Sequence, residues 1–317
     1  MGGKIRGSRH SYAASRYGIS YQNLQSTFNS FQSEDPDNRF ETSVNEYLVD
    51  ILRAFNDRDS ETLNQRLESI IEVLESEFEG VIKLKFGGSV SKHTYVDGIS
   101  DADLLALVHN SSLSDCSPSE VKSYIYEQLS SRLRNIDSIE KGNLAITIRY
   151  KDGMEVQLIP ALQKYSGYRI PDKNGEQWSP VIRPDKFASK LTNLNQSLSG
   201  NVVRVIKLVK GINDQSSTET QISGYHVESL AIELFKKYPS EYPKTLKRML
   251  KYFYENASEL VKTNILDKTN QSLHVDDYLG PEHSPQRYLV SFKMKQICEK
   301  MERADREKSS EQWKIFL

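Results

Sequence analysis

At 317 residues, with 42 Lys+Arg against 43 Asp+Glu and a formal net charge of -1, the chain has room for two modest lobes around one cleft. It carries no overall charge that would draw it to nucleic acid or to an anionic membrane, so any anion-binding surface must be local. A hydrophobic content of 37% with 27% charged residues suits a globular protein in water, and no apolar run approaches the roughly 18 residues that span a bilayer.

The first residues, MGGKIRGSRHSY, are basic and lack the apolar stretch of a signal peptide. Arg6 stands where a myristoylation pattern needs Ser or Thr. Cys116 and Cys298 lie far apart without His or Cys companions, which predicts free thiols in a reducing cytoplasm rather than a zinc site. Residues 1–40, rich in Ser, Gly, Tyr, Arg and Asn, read as a flexible arm.

From Glu41, apolar residues at Val44, Leu48, Ile51, Leu52 and Phe55 form a helical stripe. Asp59 or Ser60 is placed to cap a second helix ending near Gly80. Two strands follow, VIKLKF and DADLLALV, then a helix opened by Ser117-Pro118-Ser119-Glu120. NLAITIRY and MEVQLIPAL, joined at Lys151-Asp152-Gly153, make a hairpin, because Asp-Gly is a strong turn signal. YSGYRIPDKNGEQWSP reads as loop, and the remainder is almost all helical. The predicted fold is therefore α+β, with a small mixed sheet flanked by helices over residues 41–182 and a helical lobe over 183–317.

The segment GGSVSKHTYVDGISDADLL carries the chemistry. On a strand, Asp101 and Asp103 share one face while Ala102 and Leu104 point into packing. Two carboxylates at that spacing suit one or two Mg²⁺ ions, with Mn²⁺ as an alternative. Gly88 lets a backbone N–H approach a phosphate closely, and Ser89 adds a hydroxyl donor.

Gly88-Ser89, Thr94 and Ser100-Asp101-Ala102-Asp103 resemble the signature of the polymerase-β-like nucleotidyltransferases. MEVQLIPAL, GYRIPD, VIKLVKGIN, GYHVESLA and VDDYLGPEHSPQR narrow the resemblance to the bacterial cGAS/DncV-like enzymes of anti-phage signalling operons. It covers roughly residues 41–305. The resemblance implies a polymerase-β-like core with a C-terminal helical lobe that completes a nucleotide cleft. It also implies Mg²⁺-dependent joining of nucleoside triphosphates into a second messenger read by an effector protein. A nucleic-acid activator is left open.

One position departs from that pattern. The family's third carboxylate stands three residues before a Pro on the neighbouring strand, and counting back from Pro160 gives Gln157. Gln157 offers a carbonyl oxygen but neither takes a proton nor adds charge. Glu155 sits two residues earlier on the same strand face, roughly 6.5–7 Å along the chain. Three readings follow: Glu155 acts as the third acid, two acids suffice, or the protein binds nucleotide without turning it over. We expect the first, with Asp101, Asp103 and Glu155 as catalytic and metal-binding residues.

The helix NVVRVIKLVKGIN carries a basic row, Arg204, Lys207 and Lys210. By resemblance one of its lysines meets the triphosphate, Lys207 first and Lys210 next. Ser223 is carried over as a second phosphate contact, although Gly224 interrupts the family's Ser-Tyr step. Lys92 and His93 lie in the loop between the phosphate turn and the acids, and Tyr165, Tyr168 and Trp178 are candidates to stack a base or to pack a lid. His226 and the Asp276-Asp277 pair read as structural. Beside the second-messenger enzyme stand a non-cyclising oligomer synthase, self-primed on Tyr12, Tyr17 or Tyr21, and a nucleotide-binding regulator. A CCA-adding enzyme fits less well, since no strongly basic stretch is present.

Overall fold

A computed structural model describes residues 36–56, 60–77, 81–96, 102–109, 112–269, 273–314 and 316. Most of the expected arm, together with Asp59, Ser100 and Asp101, lies outside the described residues. Helices α1 (Pro36–Asn56) and α2 (Ser60–Glu77) precede strand β1 (Val81–Phe86), a one-turn helix α3 (Gly88–Ser91) and strand β2 (Ala102–His109). Helix α4 (Pro118–Arg132) leads to strands β3 (Ile136–Lys141), β4 (Ile146–Tyr150), β5 (Glu155–Lys164) and β6 (Gly167–Arg169). The rest is helical: α5 (Pro184–Ser197), α6 (Asn201–Asp214), α7 (Gly224–Phe235), α8 (Leu246–Leu260), α9 (Pro285–Arg306) and α10 (Ser310–Lys314).

The strands form one mixed sheet in the order β1-β2-β5-β4-β3, with β6 added to the far end of β5. Only β2 and β5 run parallel. Alternation sorts the side chains cleanly. Leu104, Ala106, Val108, Ile146, Ile148, Val156 and Leu158 are buried on one face, in one core with Leu63, Leu67, Ile70 and Leu74 of α2 and Val121, Ile125 and Leu129 of α4. The opposite face carries Asp103, Thr147, Arg149, Glu155 and Gln157, all partly exposed. A one-residue slip would exchange the two sets, so the buried face pins the register of the polar one.

Local chemistry explains the joints. Ser117 and Glu120 cap α4 reciprocally, Glu120 N donating to Ser117 Oγ and Ser117 N to Glu120 Oε2. The β4–β5 turn closes on Gly153, whose φ of +87° is strained for any residue with a β-carbon. Its N–H donates to Tyr150 O at 2.9 Å.

Two elements escape the sequence reading. Strand β3, IDSIEK, has no apolar alternation: Ile136 and Ile139 pack part-buried against the core beneath the sheet, and a register shift between Ile136 and Ser138 breaks the period of two. Strand β6 lies inside the segment read as loop, where Tyr168 also bridges to Ile182. Helix α1 also differs from the expected partition. Its buried residues Val44, Leu48 and Leu52 belong to the core of the helical lobe, with Val205, Val209, Leu250 and Phe253, rather than to the core beneath the sheet.

Candidate functional site

Strand β1 runs into the phosphate-type turn. Gly87 N donates to Asp103 O at 2.9 Å, which sews the turn to β2. Gly88 has φ +44°, and a β-carbon there would collide with the Asp103 carboxylate, so the position excludes any side chain. Ser89 is 8% exposed; its hydroxyl is buried without a hydrogen-bond partner among the described residues, and its N–H serves the Asp103 carboxylate. Thr94 N donates back to Ser89 O at 2.9 Å and closes the loop.

Burial pushes the Asp103 carboxyl above the usual carboxylate range, against the pull of Lys92 and the Ser89 N–H. The register sets Gln157 directly beside Asp103 and Thr147 directly beside Gln157, so the three form one row across β2, β5 and β4. Glu155 lies one step along the same face. It accepts from Arg149 Nε at 2.8 Å, and Gln157 Nε2 donates to it at 3.4 Å. Arg149 also pairs with Glu140 at 2.6 Å. Neither pattern nor spacing marked Arg149, because its partner is supplied by the hairpin register. Asp101 lies outside the described residues.

The basic row on α6 divides. Three residues turn a helix by about 300°, so positions spaced by three drift about 60° per step. Lys210, 5% exposed, donates to Thr94 O and to Glu228 Oε1, both at 3.0 Å. Lys207 instead donates to Asn56 at the end of α1, and Arg204 to Asn201 at 3.3 Å. The lysine beside the phosphate-type turn is thus Lys210, where the sequence reading put Lys207 first.

Glu228 of α7 gathers the cluster. It is 1% exposed and accepts from Lys92, Thr94 and Lys210. Burial alone would raise its pKa, but Lys92, then Lys210, and the Thr94 hydroxyl together hold it below its ordinary value. Lys92 Nζ also lies 5.1 Å from the Phe187 ring centre and 5.3 Å from that of Tyr225. Gly224 has its reason here: a β-carbon would sit 3.3 Å from Lys210 Cε, in the path of that side chain. Ser223 caps α7 by accepting from His226 N at 3.2 Å, while its own N–H donates to Tyr278 Oη at 3.0 Å.

The remaining candidates divide between cleft and scaffold. Trp178 donates to Cys116 O at 2.9 Å and packs against the core beneath the sheet, away from the Asp103 row. Tyr168 is buried and takes a bond from Lys85 at 2.8 Å, whose amino group also pairs with Asp185 at 2.9 Å. Tyr165 is fully exposed, and His93 is an exposed residue with φ +59°. His226 is buried, bonded through Nδ1 to Tyr278 Oη at 2.8 Å, and burial takes its pKa down to about 4. Asp276 is buried against Arg287 at 2.6 Å, and the pair does not lie on a strand.

No family model matches the chain, and no curated protein is found similar to it in sequence. Solved structures do match over most of its length. The STING-associated CdnE c-di-GMP synthase from Capnocytophaga granulosa is 20% identical, with 89% of this chain and 94% of that one covered at a TM-score of 0.61. The CdnC structure from E. coli MS115-1 with ATP is 13% identical, covering 80% and 88% at 0.61. The Vibrio cholerae DncV cyclic AMP-GMP synthase with a linear intermediate is 11% identical, covering 90% and 86% at 0.58. The chain has the fold of the cGAS/DncV-like nucleotidyltransferases.

Proposed function

We propose that this chain is a nucleotidyltransferase that joins nucleoside triphosphates into a cyclic or linear oligonucleotide and releases pyrophosphate. The observation that carries this reading is the cradle at Gly88, Ser89 and Asp103. No side chain fits at Gly88, the Ser89 hydroxyl is buried with no partner among the described residues, and a carboxylate rests on the Ser89 N–H. It sits on the fold of solved structures described as cyclic dinucleotide synthases.

Asp103 and Glu155 offer carboxylate oxygens along one face and Gln157 an amide carbonyl beside its NH2 group, and such hard oxygens suit Mg²⁺. Among the described residues no three His, Cys, Asp or Glu side chains form a ready cage, so Asp101 is needed to complete the set. In this reading Asp101 and Asp103 hold Mg²⁺ or Mn²⁺, joined by Glu155 or the Gln157 carbonyl. Such an ion would neutralise phosphate charge and favour attack on the α-phosphorus.

The other tasks fall to the protein. Ser89 offers its N–H and hydroxyl to phosphate oxygens, and an incoming phosphate competes with the Asp103 carboxylate for the same N–H. Lys92 and Lys210 supply positive charge beside the turn, and Glu228 keeps both lysines there. Ser223 is committed to its helix cap. Glu155 takes the proton of the attacking hydroxyl once its bond to Arg149 loosens, and in-line geometry and charge neutralisation supply the rest.

A binding-only reading draws on two facts, Gln157 beside Asp103 and Glu155 tied to Arg149. Incubation with each α-labelled NTP and dNTP, in Mg²⁺ and in Mn²⁺, with D101N/D103N as blank, separates the two. A phosphatase-resistant product absent from the blank supports the enzyme and reveals its bases; a label on the protein itself points to self-priming. Tight binding without pyrophosphate release overturns the enzyme in favour of the regulator. In the same reading the product is an anti-phage second messenger sensed by an effector protein. The setting is the cytoplasm, which suits two free cysteines. No described helix is long and apolar enough to cross a membrane.

A further inference from the structure

The sheet face opposite the Asp103 row borders a cavity of about 240 Å³ between the first half of α2, the turn after α4 and the end of β4. Tyr150 lines it. This residue is 6% exposed, and its hydroxyl is buried with no hydrogen-bond partner among the described residues. Arg66 lies over the Tyr150 ring, its guanidinium carbon 4.2 Å from the ring centre. Arg66 Nη2 donates to Asp152, but Nη1 is buried and has no partner among the described residues. The exposed Arg134 joins them, beside Ser69 and Asn135. Asn135 takes φ +60°, a left-handed step that Asn tolerates better than most residues, and it turns the chain at the cavity's edge.

These groups ask for one kind of occupant. A guanidinium nitrogen has hydrogens to give and no lone pair, so only an acceptor satisfies Arg66 Nη1. Leaving such a donor buried and unpaired is costly, and the Tyr150 hydroxyl adds a second group in the same state. Asp152 is already taken by the other nitrogen of Arg66. The cavity greatly exceeds the roughly 30 Å³ share of one water, and a guanidinium fork matches the oxygens of a phosphate. We propose that this pocket binds a phosphate-type oxyanion, free or as the terminal phosphate of a nucleotide. It is separate from the cradle at Gly88, since Tyr150 faces the core beneath the sheet while Asp103 faces away from it.

The test follows thermal unfolding of the full chain against inorganic phosphate and, separately, against AMP, with potassium chloride at matched ionic strength as the control. Four variants are compared: Tyr150→Phe and Arg66→Gln in the pocket, Ser89→Ala and Lys210→Met in the cradle. Tyr150→Phe removes one hydroxyl and keeps the packing, so it folds. Phosphate is expected to raise the melting temperature of the wild type and of both cradle variants. In both pocket variants the concentration giving half the rise should increase by about tenfold, the loss expected for one charge-assisted hydrogen bond. AMP acting at lower concentration than phosphate identifies a nucleotide as the source; equal action identifies the free anion. A rise that persists in the pocket variants and vanishes in the cradle variants overturns the proposal, as does a rise reproduced by chloride or no rise in any protein.

Discussion

Two buried charge clusters in this molecule are built on opposite plans. Around Asp276, the guanidinium of Arg287 is fully buried and gives hydrogens to Asp276, Asn264 and the carbonyls of Val261, Thr263, Gly280 and Pro281. Every direction of the fork is used, and the cluster binds one loop of the helical lobe to α9. Around Glu228, two lysines and a threonine converge from different parts of the chain, Lys92 and Thr94 from the phosphate-type turn and Lys210 from α6. A rigid, saturated arginine suits a joint, whereas a lysine is a point charge on a flexible stem that is free to swing toward a new anion. The contrast teaches which buried charges hold the scaffold and which hold charge in reserve beside the cradle.

Breaking each cluster should give different signatures. Arg287→Leu leaves Asp276 buried without its cation and should cost about 3–5 kcal/mol in urea unfolding, the largest stability loss foreseen. A substitution in the cradle should show in turnover instead. Gly88→Ala drives a β-carbon into the Asp103 carboxylate, and displacement of a reacting group by about 1 Å costs on the order of a hundredfold in turnover. A Gly88→Ala protein as active as the wild type would remove the cradle from the mechanism.

The Glu228 cluster has a pH signature. Its carboxyl lies below its ordinary value in the folded state. Its contribution is therefore present above the unfolded glutamate value of about 4.3 and is lost as pH falls through the lower folded value. Glu228→Gln should lose stability at pH 7 and lose less than the wild type on further acidification. Asp103 runs the other way, since its carboxyl is raised by burial. A carboxyl raised in the folded state weakens the fold progressively as pH climbs through the folded value, so Asp103→Asn should gain melting temperature over the wild type as pH rises, while losing activity.

The smallest effects sharpen the division of the basic row. Lys210→Met should raise KM for the triphosphate by at least about tenfold, as expected for loss of a charged contact. Lys207→Met, whose bond to Asn56 points away from the phosphate-type turn, should change KM by less than about twofold. Equal effects of the two would mean that both lysines serve the same anion.

Much of this was legible in the sequence where local rules decide. The capping box at Ser117 and Glu120, the Asp-Gly turn and the apolar stripe of α1 each act within a few residues. The shared face of Asp103, Gln157 and Glu155 follows from alternation plus register. What stayed hidden depends on partners far along the chain. The stripe Val44, Leu48 and Leu52 announces a helix but not which lobe it joins. Glu228 carries no mark of its role until the fold brings Lys92 to it, and β3, whose register shifts between Ile136 and Ser138, has no period of two to read. Gly224 looked like an interruption of a motif, and the reason for it is a lysine side chain from another helix.

Gln157, where the family resemblance implies a carboxylate, also bears on how the lobe is made. Like charges directly across two strands push them apart, and at the Asp103 level β2 and β5 meet with one negative charge instead of two. The strands at this row can zip together during synthesis with no counter-ion between them. In the proposed reading, a chelator should then silence the protein without lowering its melting temperature.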